Sequence, residues 1–451
     1  MFVPHTDAER EEMLKAIGVE RIEDLFTDVP EDYRFPYLGL PGGLTEMEIM
    51  AELQEIAAAN SSTREMACFL GAGAYNHYIP AAVDAIIRRG EFLTAYTPYQ
   101  PEVSQGTLQA IFEYQSMIAA LTGMEVSNAS HYDGATAAAE AVVMAYHHFR
   151  GKRGKVVLSP GVHPQYRAVI RTYMQGYAGF QIAGDHEPGC DPLSGPETLL
   201  PMIDANTSLV LVQYPDFFGR LYDYTALAQA AHEAGALLAV AVNPLSLGLL
   251  KPPGEFGADI VVGEGQSLGI PLSFGGPYLG LFATRKEYVR RLAGRLVGET
   301  VDNAGRRAYV LTLTAREQHI RREKATSNIC TNQGLIALTA TVYMSLLGKH
   351  GLRQVAELCY HKAHYAAEKI NAIPGFSVCM DRPFFHEFVV CCPMPASRLN
   401  DRLIDHGIIG GYDLQQDYPA LENRMLIAVT EMNTRDEIDH LAEALSEVSH
   451  A

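Results

Sequence analysis

Residues 257–271 read GADIVVGEGQSLGIP, and this stretch decides how the fold is interpreted. Ala258 to Val262 form a run that is apolar except for Asp259 and lies between glycines, which is the pattern of a short buried strand. A polar, glycine-rich loop follows at once. Open α/β sheets present their ligand-binding groups in loops of this kind, at the carboxyl ends of the strands. The stretch therefore predicts a ligand-binding sheet edge at which the amide of Gln266 is on display.

Strands and helices alternate before this stretch, and repeated βαβ alternation predicts an α/β fold with a mostly parallel, doubly wound sheet. After Leu281–Ala283 the alternation fades into helices and short strands, which predicts a smaller α/β domain at the C-terminus. The predicted organisation is an N-terminal arm with a helix (residues 1–60), a large domain (61–310) and a small domain (311–451). The predicted strands of the sheet are 126–128, 155–159, 180–183, 208–213, 236–242 and 258–262.

Composition excludes several classes of protein. The net charge of −18 argues against general nucleic-acid binding, and no apolar run is long enough for a membrane span. The N-terminus lacks a signal-peptide pattern, so we expect a cytoplasmic protein. Residues 285–324 are an exception to the acidic composition, because eleven Lys/Arg stand against five Asp/Glu, an excess of +6. This segment is either a solvated helical face or a docking surface for an acidic partner.

Metal and disulfide chemistry find little support in the spacing of ligands. The seven cysteines are irregularly spaced and include no CxxC pair, which supports neither a disulfide framework nor a zinc ribbon. His361 and His364 share a helical face close to Cys359, but no carboxylate completes a recognisable site. We therefore predict no metal site.

Residues 94–106, TAYTPYQPEVSQG, predict a rigid loop that displays aromatic side chains. Its prolines exclude a regular element, and Ser104 is positioned to cap the helix that follows. Tyr96 and Tyr99 either pack under the loop or form the wall of a pocket, and we favour the pocket.

Four points along the large domain form one constellation. They are a phosphate-type turn with Gly134 and Thr136, a possible ring-stacking His163, Asn243 at a strand end, and Gln266 in the loop described above. Fold type I enzymes that use pyridoxal phosphate place their working groups in this order, with an Asp at the third point and a Schiff-base lysine at the fourth. Asn243 and Gln266 cannot supply those functions, so the sequence predicts a vestigial cofactor site.

Three longer runs resemble the P-protein of the glycine cleavage system. They are TAYTPYQPE at 94–102, GEGQSLG at 263–269 and REQHIRREKATSNICTN at 316–332. The likeness covers nearly the whole chain. The length of the chain resembles that of the α-type, or N-terminal-type, subunit found where the P-protein consists of two different chains. One departure is Asn243-Pro244, where α-type chains commonly have Asp-Pro.

The resemblance implies an αβ unit, paired again into α2β2, in which the β-type subunit carries the lysine that binds pyridoxal phosphate. It implies decarboxylation of glycine and transfer of the aminomethyl group to the lipoyl group of H-protein, with this chain shaping the shared site and inactive alone. The residues it places at the substrate pocket and its entrance are Tyr96, Tyr99, Glu102, Arg321, Arg322, Lys324 and Asn328.

Two other functions remain open at this point. One is an independent fold type I enzyme that uses Lys251 or Lys324 as its Schiff-base amine. The other is a non-catalytic scaffold that only binds partners. Gln266 and Asn243 weigh against the first, and the specificity of residues 316–332 weighs against the second.

Overall fold

The computed structural model describes residues 4–185, 191–379 and 382–450. Its Cα positions divide into two compact units, Met1–Ser61 and Ser62–Ala451. The α-helices are α1 Asp7–Ile17, α2 Glu46–Ala58, α3 Ala81–Ile87, α4 Gly90–Leu93, α5 Gln105–Thr122, α6 Gly134–His148, α7 Pro164–Met174, α8 Thr225–Glu233, α9 Gln318–Arg321, α10 Gly334–Asn371, α11 Ala396–Asp405 and α12 Arg435–His450. The strands are β1 Ala67–Cys68, β2 Val126–Ser127, β3 Lys155–Leu158, β4 Gln181–Ala183, β5 Thr207–Tyr214, β6 Leu237–Val242, β7 Ile260–Glu264, β8 Gly280–Thr284, β9 Leu296–Val301, β10 Arg307–Thr312, β11 Ser377–Val378, β12 Glu387–Cys391, β13 Ile408–Ile409, β14 Tyr412–Asp413 and β15 Arg424–Ala428.

The first unit consists of α1, α2 and two short 3₁₀ turns. Both helices begin with a capping box, formed by Thr6 with Glu9 and by Thr45 with Glu48, so their starts are fixed by local sequence. Neither helix buries a residue. The division of the rest of the chain at residue 310 stays a prediction.

A seven-stranded sheet forms the centre of the second unit, in the order β2-β8-β7-β6-β5-β3-β4. The five strands from β7 to β4 are parallel, and β8 runs antiparallel to both of its neighbours. Alternate residues of β5 belong to different apolar clusters, with Val210 and Val212 in one and Leu209 and Leu211 in the other. Both faces of the sheet are therefore covered, as doubly wound sheets require, and the predicted sheet is confirmed.

A four-stranded antiparallel sheet in the order β11-β12-β15-β14 packs with α10, α11 and α12. Among the described residues α10 is the one helix long and apolar enough to cross a membrane, by length and composition alone. Its residues Ala337, Ala340 and Tyr343 are buried in the same cluster as the central sheet, as expected for a core helix. The helix is interrupted at Gly348, where φ is +58°. Gly348 therefore divides the segment into two helical parts, 334–347 and 349–371.

The hairpin of β9 and β10 was not predicted from the sequence. Its strands are held by two glutamines of α5 rather than by a strong apolar pattern. Gln115 exchanges two hydrogen bonds of 2.9 Å with the backbone of Val297, and Gln105 does the same with Tyr309 at 2.8 and 2.9 Å. Side-chain amides that bond to the backbone of a strand, as a neighbouring strand would, produce no periodic pattern of apolar residues in the sequence.

Two local predictions were wrong. The basic run 316–324 is not a continuous helix, because Arg322 has φ +52° and separates α9 from a short 3₁₀ turn. Ser104 precedes α5 but its side chain does not cap the helix, whereas Asp133 caps α6 by accepting from Thr136 N at 2.7 Å.

Cys379 and Cys391 are joined by a disulfide, which the irregular spacing of the cysteines did not predict. The antiparallel pairing of β11 and β12 sets Ser377 opposite Cys391, so Cys379 lies within reach of the same partner strand. Strand register, not sequence spacing, brings the two sulfurs together.

Candidate functional site

The predicted vestigial site lies where β3, β5, β6 and β7 end. His163, Gln213, Asn243 and Glu264 come from these four strand ends and line one cavity, together with Tyr166 from α7. The cavity measures about 30 Å³. A water molecule needs about 10–15 Å³ of such space, so the cavity accommodates about two waters.

Gln266 is 1% exposed and is hydrogen-bonded to Tyr75, which lines this cavity. Its Nε2 donates to the carbonyl oxygens of Tyr75 at 2.9 Å and Ile270 at 2.8 Å, and its Oε1 accepts from Tyr75 N at 2.8 Å. The amide therefore has every hydrogen bond it needs from backbone groups. Tyr75 was not singled out in the sequence, and only its place in a glycine-rich loop indicated it.

The α6 N-terminus, predicted as a phosphate-type turn, already holds an internal carboxyl group. Gly134 N donates to Glu264 Oε2 at 2.9 Å, while Glu264 Oε1 accepts from Leu279 N at 2.9 Å and from Gln266 N at 3.1 Å. Burial raises the pKa of Glu264 to about 8, against the lowering effect of these backbone N–H groups. The Tyr166 hydroxyl lies 2.0 Å from where a Cβ at Gly134 would stand, so only glycine fits there.

The side chains of His163 and Asn243 also contact other residues of the protein at this site. His163 is stacked on Tyr166 at 5.0 Å between ring centroids, and its Nε2 lies 2.8 Å from the carbonyl oxygen of Ala72. Burial lowers the pKa of His163 to about 4, so the ring is neutral. Asn243 Oδ1 accepts from Leu245 N at 3.1 Å and from the Ser267 hydroxyl at 3.3 Å. Its buried Nδ2 has no hydrogen-bond partner among the described residues.

The two tyrosines of the proline-rich loop lie against the family-like run at 316–332. Tyr96 lines a cavity of about 250 Å³ with Thr331 and Asn332, and Tyr99 stands 6.0 Å from the ring of His319. The structure therefore brings together two runs that are more than two hundred residues apart in sequence.

Arg295 joins the two runs and was not identified from the sequence. It is 4% exposed and donates to Thr331 Oγ1 at 2.8 Å, to Asn332 Oδ1 at 3.1 Å and to the carbonyl oxygen of Cys330 at 3.1 Å. Its guanidinium carbon also lies 5.8 Å from the ring centroid of Tyr99. The excess of basic residues at 285–324 was the one signal that could have indicated it.

The other predicted pocket residues are distributed over the surface. Glu102, Arg321, Arg322 and Lys324 are exposed and do not line the cavity beside Tyr96. Thr136 and Asn328 line a separate cavity of about 330 Å³ that also contains Glu140.

The two alternative Schiff-base amines, Lys251 and Lys324, are both exposed. Neither lysine lines the cavity at the strand ends, where its amine would have to lie to form a Schiff base with pyridoxal phosphate. The geometry therefore gives no support to an independent lysine-based site built on either residue.

A third group of side chains, which the sequence did not indicate, brings Cys359 together with His77 and Glu431. Glu431 Oε2 lies 2.8 Å from His77 Nδ1 and accepts from Cys359 Sγ at 3.3 Å, and the three ligand atoms are close enough together to hold a metal ion. Burial raises the pKa of Glu431, but the hydrogen bond and charge of His77 lower it to about 2. We interpret the group as a buried hydrogen-bonded cluster, because His77 and Glu431 already contact each other directly. Residues so far apart in sequence gave no spacing signal.

Comparison with known proteins assigns the family. The profile of the family described as "Glycine cleavage system P-protein" matches residues 1–445. The chain belongs to this family. A protein of Thermomicrobium roseum named "Probable glycine dehydrogenase (decarboxylating) subunit 1" is 56% identical over 450 residues, 100% of this chain and 100% of that protein. The predicted resemblance is confirmed.

Solved structures agree at the level of the fold. A crystal structure of glycine decarboxylase (P-protein) of the glycine cleavage system, in inhibitor-bound form, matches with a TM-score of 0.90 and 46% identity, covering 99% of this chain and 100% of that one. A sphingosine-1-phosphate lyase of Burkholderia pseudomallei matches with a TM-score of 0.65 at 16% identity, covering 93% and 94%, which shows the fold alone. The predicted fold type I architecture is confirmed, and pyridoxal phosphate is the cofactor of the enzymes that share it.

The residues at the strand ends of this P-protein chain do not fit that cofactor. Gln266 cannot form a Schiff base, Asn243 cannot pair with a protonated ring nitrogen as an Asp would, and Gly134 N is bonded to Glu264. The remaining space of about 30 Å³ would hold waters rather than a ring.

Replacing Gln266 with Lys tests this conclusion. We expect no imine absorbance when pyridoxal phosphate is added, and a loss of unfolding free energy of about 3 kcal/mol or more, because a buried ammonium would replace a fully hydrogen-bonded amide. Denaturant unfolding and absorbance spectra measure both effects. Gln229→Lys, on the exposed side of α8, is the control and should change neither. An imine trapped by borohydride on Lys at position 266 would show that the site still accepts the cofactor.

Proposed function

We propose that this P-protein chain is the α-type subunit of a two-chain glycine decarboxylase. Its partner, the β-type subunit, carries the lysine and binds pyridoxal phosphate. Together they decarboxylate glycine and transfer the aminomethyl group to the lipoyl group of H-protein. The observation that carries the proposal is the hydrogen-bonded filling of the cofactor position by Gln266 and Glu264, within a fold type I sheet that is otherwise complete.

The surface around Tyr96 supports a shared site. Tyr96 is 85% exposed and Tyr99 is 54% exposed, although the loop that carries them is stiffened by Pro98 and Pro101. Large aromatic side chains held in place but open to solvent are typical of a surface that another chain completes. We assign Tyr96, Tyr99 and the neighbouring Glu102 to the substrate side of the pocket. Their role is to bind and orient glycine and to exclude water.

Arg321, Arg322 and Lys324 would lie at the entrance, with Asn328. All four are exposed, and within the described ranges none of the three basic side chains forms an ion pair with another residue of this chain. Unpaired surface cations are available to an acidic partner and steer its approach. We propose that they meet lipoylated H-protein, which is expected to be acidic.

The proposal also includes the assembly of the protein and its location in the cell. The relatives are named as a subunit, and we propose an α2β2 assembly in the cytoplasm. The alternatives are an independent enzyme based on Lys251 or Lys324, and a scaffold without catalytic influence. The exposed position of both lysines disfavours the first, and the formation of a walled pocket by the family-like runs disfavours the second.

Mixing the two subunits tests the proposed function. This chain alone should give neither imine absorbance with pyridoxal phosphate nor glycine-dependent release of CO2, because it has no amine at the strand end. Both signals should appear when the β-type subunit is added and exceed those of the β-type subunit alone. A borohydride-trapped imine on this chain by itself would contradict the proposal.

Tyr96→Phe tests the pocket. Loss of one hydroxyl that contacts a charged substrate should lower the glycine-dependent rate of the mixed enzyme by about 10- to 100-fold, with assembly unchanged in size-exclusion chromatography. Tyr78→Phe is a matched control, because Tyr78 is 61% exposed and does not line the cavity beside Tyr96. An unchanged rate for Tyr96→Phe would remove this residue from the site.

Arg321→Glu tests the docking of H-protein. Binding of H-protein to the mixed enzyme should weaken as salt rises, and the variant should lose most of this salt dependence, because a repulsive charge replaces an attractive one. Arg64→Glu, another exposed arginine, should leave the dependence intact. Affinity measured over a salt series decides the matter, and a flat response of the unmodified enzyme would eliminate electrostatic docking.

A further inference from the structure

Glu140 is a buried carboxyl group that the proposed function does not use. It lies on α6 and is 5% exposed, and its Oε1 accepts a hydrogen bond of 2.7 Å from the Ser327 hydroxyl. Burial raises the pKa of Glu140 to about 7, and the Ser327 hydrogen bond lowers it in part. A carboxyl group that is removed from water without a cationic partner lacks the interaction that stabilises its charged form best.

The cavity in front of Glu140 is large enough for a small molecule. It measures about 330 Å³, within the range of ligand sites, and lies between α6, α7 and the loop that precedes α10. Its lining is rich in hydroxyl groups and contains no lysine, arginine or histidine. The lining residues are Tyr132, Thr136, Glu140, Val143, Tyr173, Tyr177, Thr326, Ser327, Asn328 and Ile329.

Tyr173 and Tyr177 line the same cavity as Glu140. Burial raises the pKa of both Tyr173 and Tyr177, and the charge of Glu140 is the next cause in each case. The hydroxyl of Tyr132 accepts from Cys330 N at 3.1 Å, which fixes that ring beside the loop. Side chains that bear hydroxyl groups therefore line the cavity together with the carboxyl group of Glu140.

The chemistry of this lining selects the charge of a ligand. An anion is disfavoured because no cationic side chain lines the cavity and because Asp133 and Glu264 already hold N–H groups of Thr136 and Gly134 at the start of α6. A cation is favoured by the carboxylate. A primary ammonium group carries three N–H donors, which match a carboxylate oxygen and phenol oxygens better than a quaternary ammonium, which has none.

We propose that this cavity, named here the Glu140 cavity, binds a small molecule with a primary ammonium group through the carboxylate of Glu140 and the hydroxyls of Tyr173 and Tyr177. The proposal stands apart from the decarboxylase assignment, because binding is measured on this chain alone.

Calorimetric titration of the full-length chain at pH 8 tests the site. Ethylammonium chloride is the probe, with tetramethylammonium chloride and sodium propionate at the same ionic strength as the comparison cation and anion. Ethylammonium should bind saturably with one site per chain, and tetramethylammonium should bind about 10-fold or more weakly. Absence of saturable ethylammonium binding, or equal binding of the quaternary ion or of propionate, would overturn the proposal.

Glu140→Gln should weaken ethylammonium binding by about 10- to 100-fold, because it keeps the size of the side chain and removes its charge. Tyr173→Phe removes one acceptor and should weaken binding by a few-fold. Tyr173 is 37% exposed, so this second variant folds even if the first does not. Glu113→Gln, on the exposed side of α5, is the matched control and should bind like the unmodified chain. Unchanged binding by both cavity variants would place the amine elsewhere.

Discussion

The hydrogen bonds of Glu264 and Gln266 are the constraint on which the carboxyl edge of the sheet depends. These neighbouring side chains follow one buried strand and reach three separate parts of the chain: the loop of Tyr75, the start of α6 at Gly134, and the segment at Ile270 and Leu279. In a cofactor enzyme of this fold, the ligand itself would join such parts. Here two side chains do so from within the protein, and buried polar groups that satisfy one another hold the edge closed.

The closed edge explains how a complete fold type I sheet exists together with a site that cannot hold the cofactor. The sheet is stabilised by apolar clusters on both faces, and these do not depend on what occupies its edge. Function is therefore free to lie elsewhere on the same scaffold. The solvent-open pocket at Tyr96 is the place where two of the three family-like runs, 94–102 and 316–332, meet, and Arg295 is hydrogen-bonded to the second of them.

Sequence reasoning succeeded where the signal was local. The run of Ala258 to Val262 and the βαβ alternation both report on neighbours in the chain, and the structure has the corresponding elements. The loss of the cofactor function could likewise be inferred from Gln266 alone. The residues that fill the cofactor position could not be inferred, because Tyr166 and Glu264 reach it from elements whose packing is not evident in the sequence. The same limit applies to Arg295, to Glu431 beside His77, and to the disulfide of Cys379 and Cys391.

The internal closure of the sheet edge also bears on how this protein is maintained in a cell. A cofactor that binds only the native state adds to its stability in proportion to the logarithm of the cofactor concentration. A chain whose own side chains fill the cofactor position has no such dependence. The folding stability of this chain therefore does not depend on a cofactor bound at its own sheet edge.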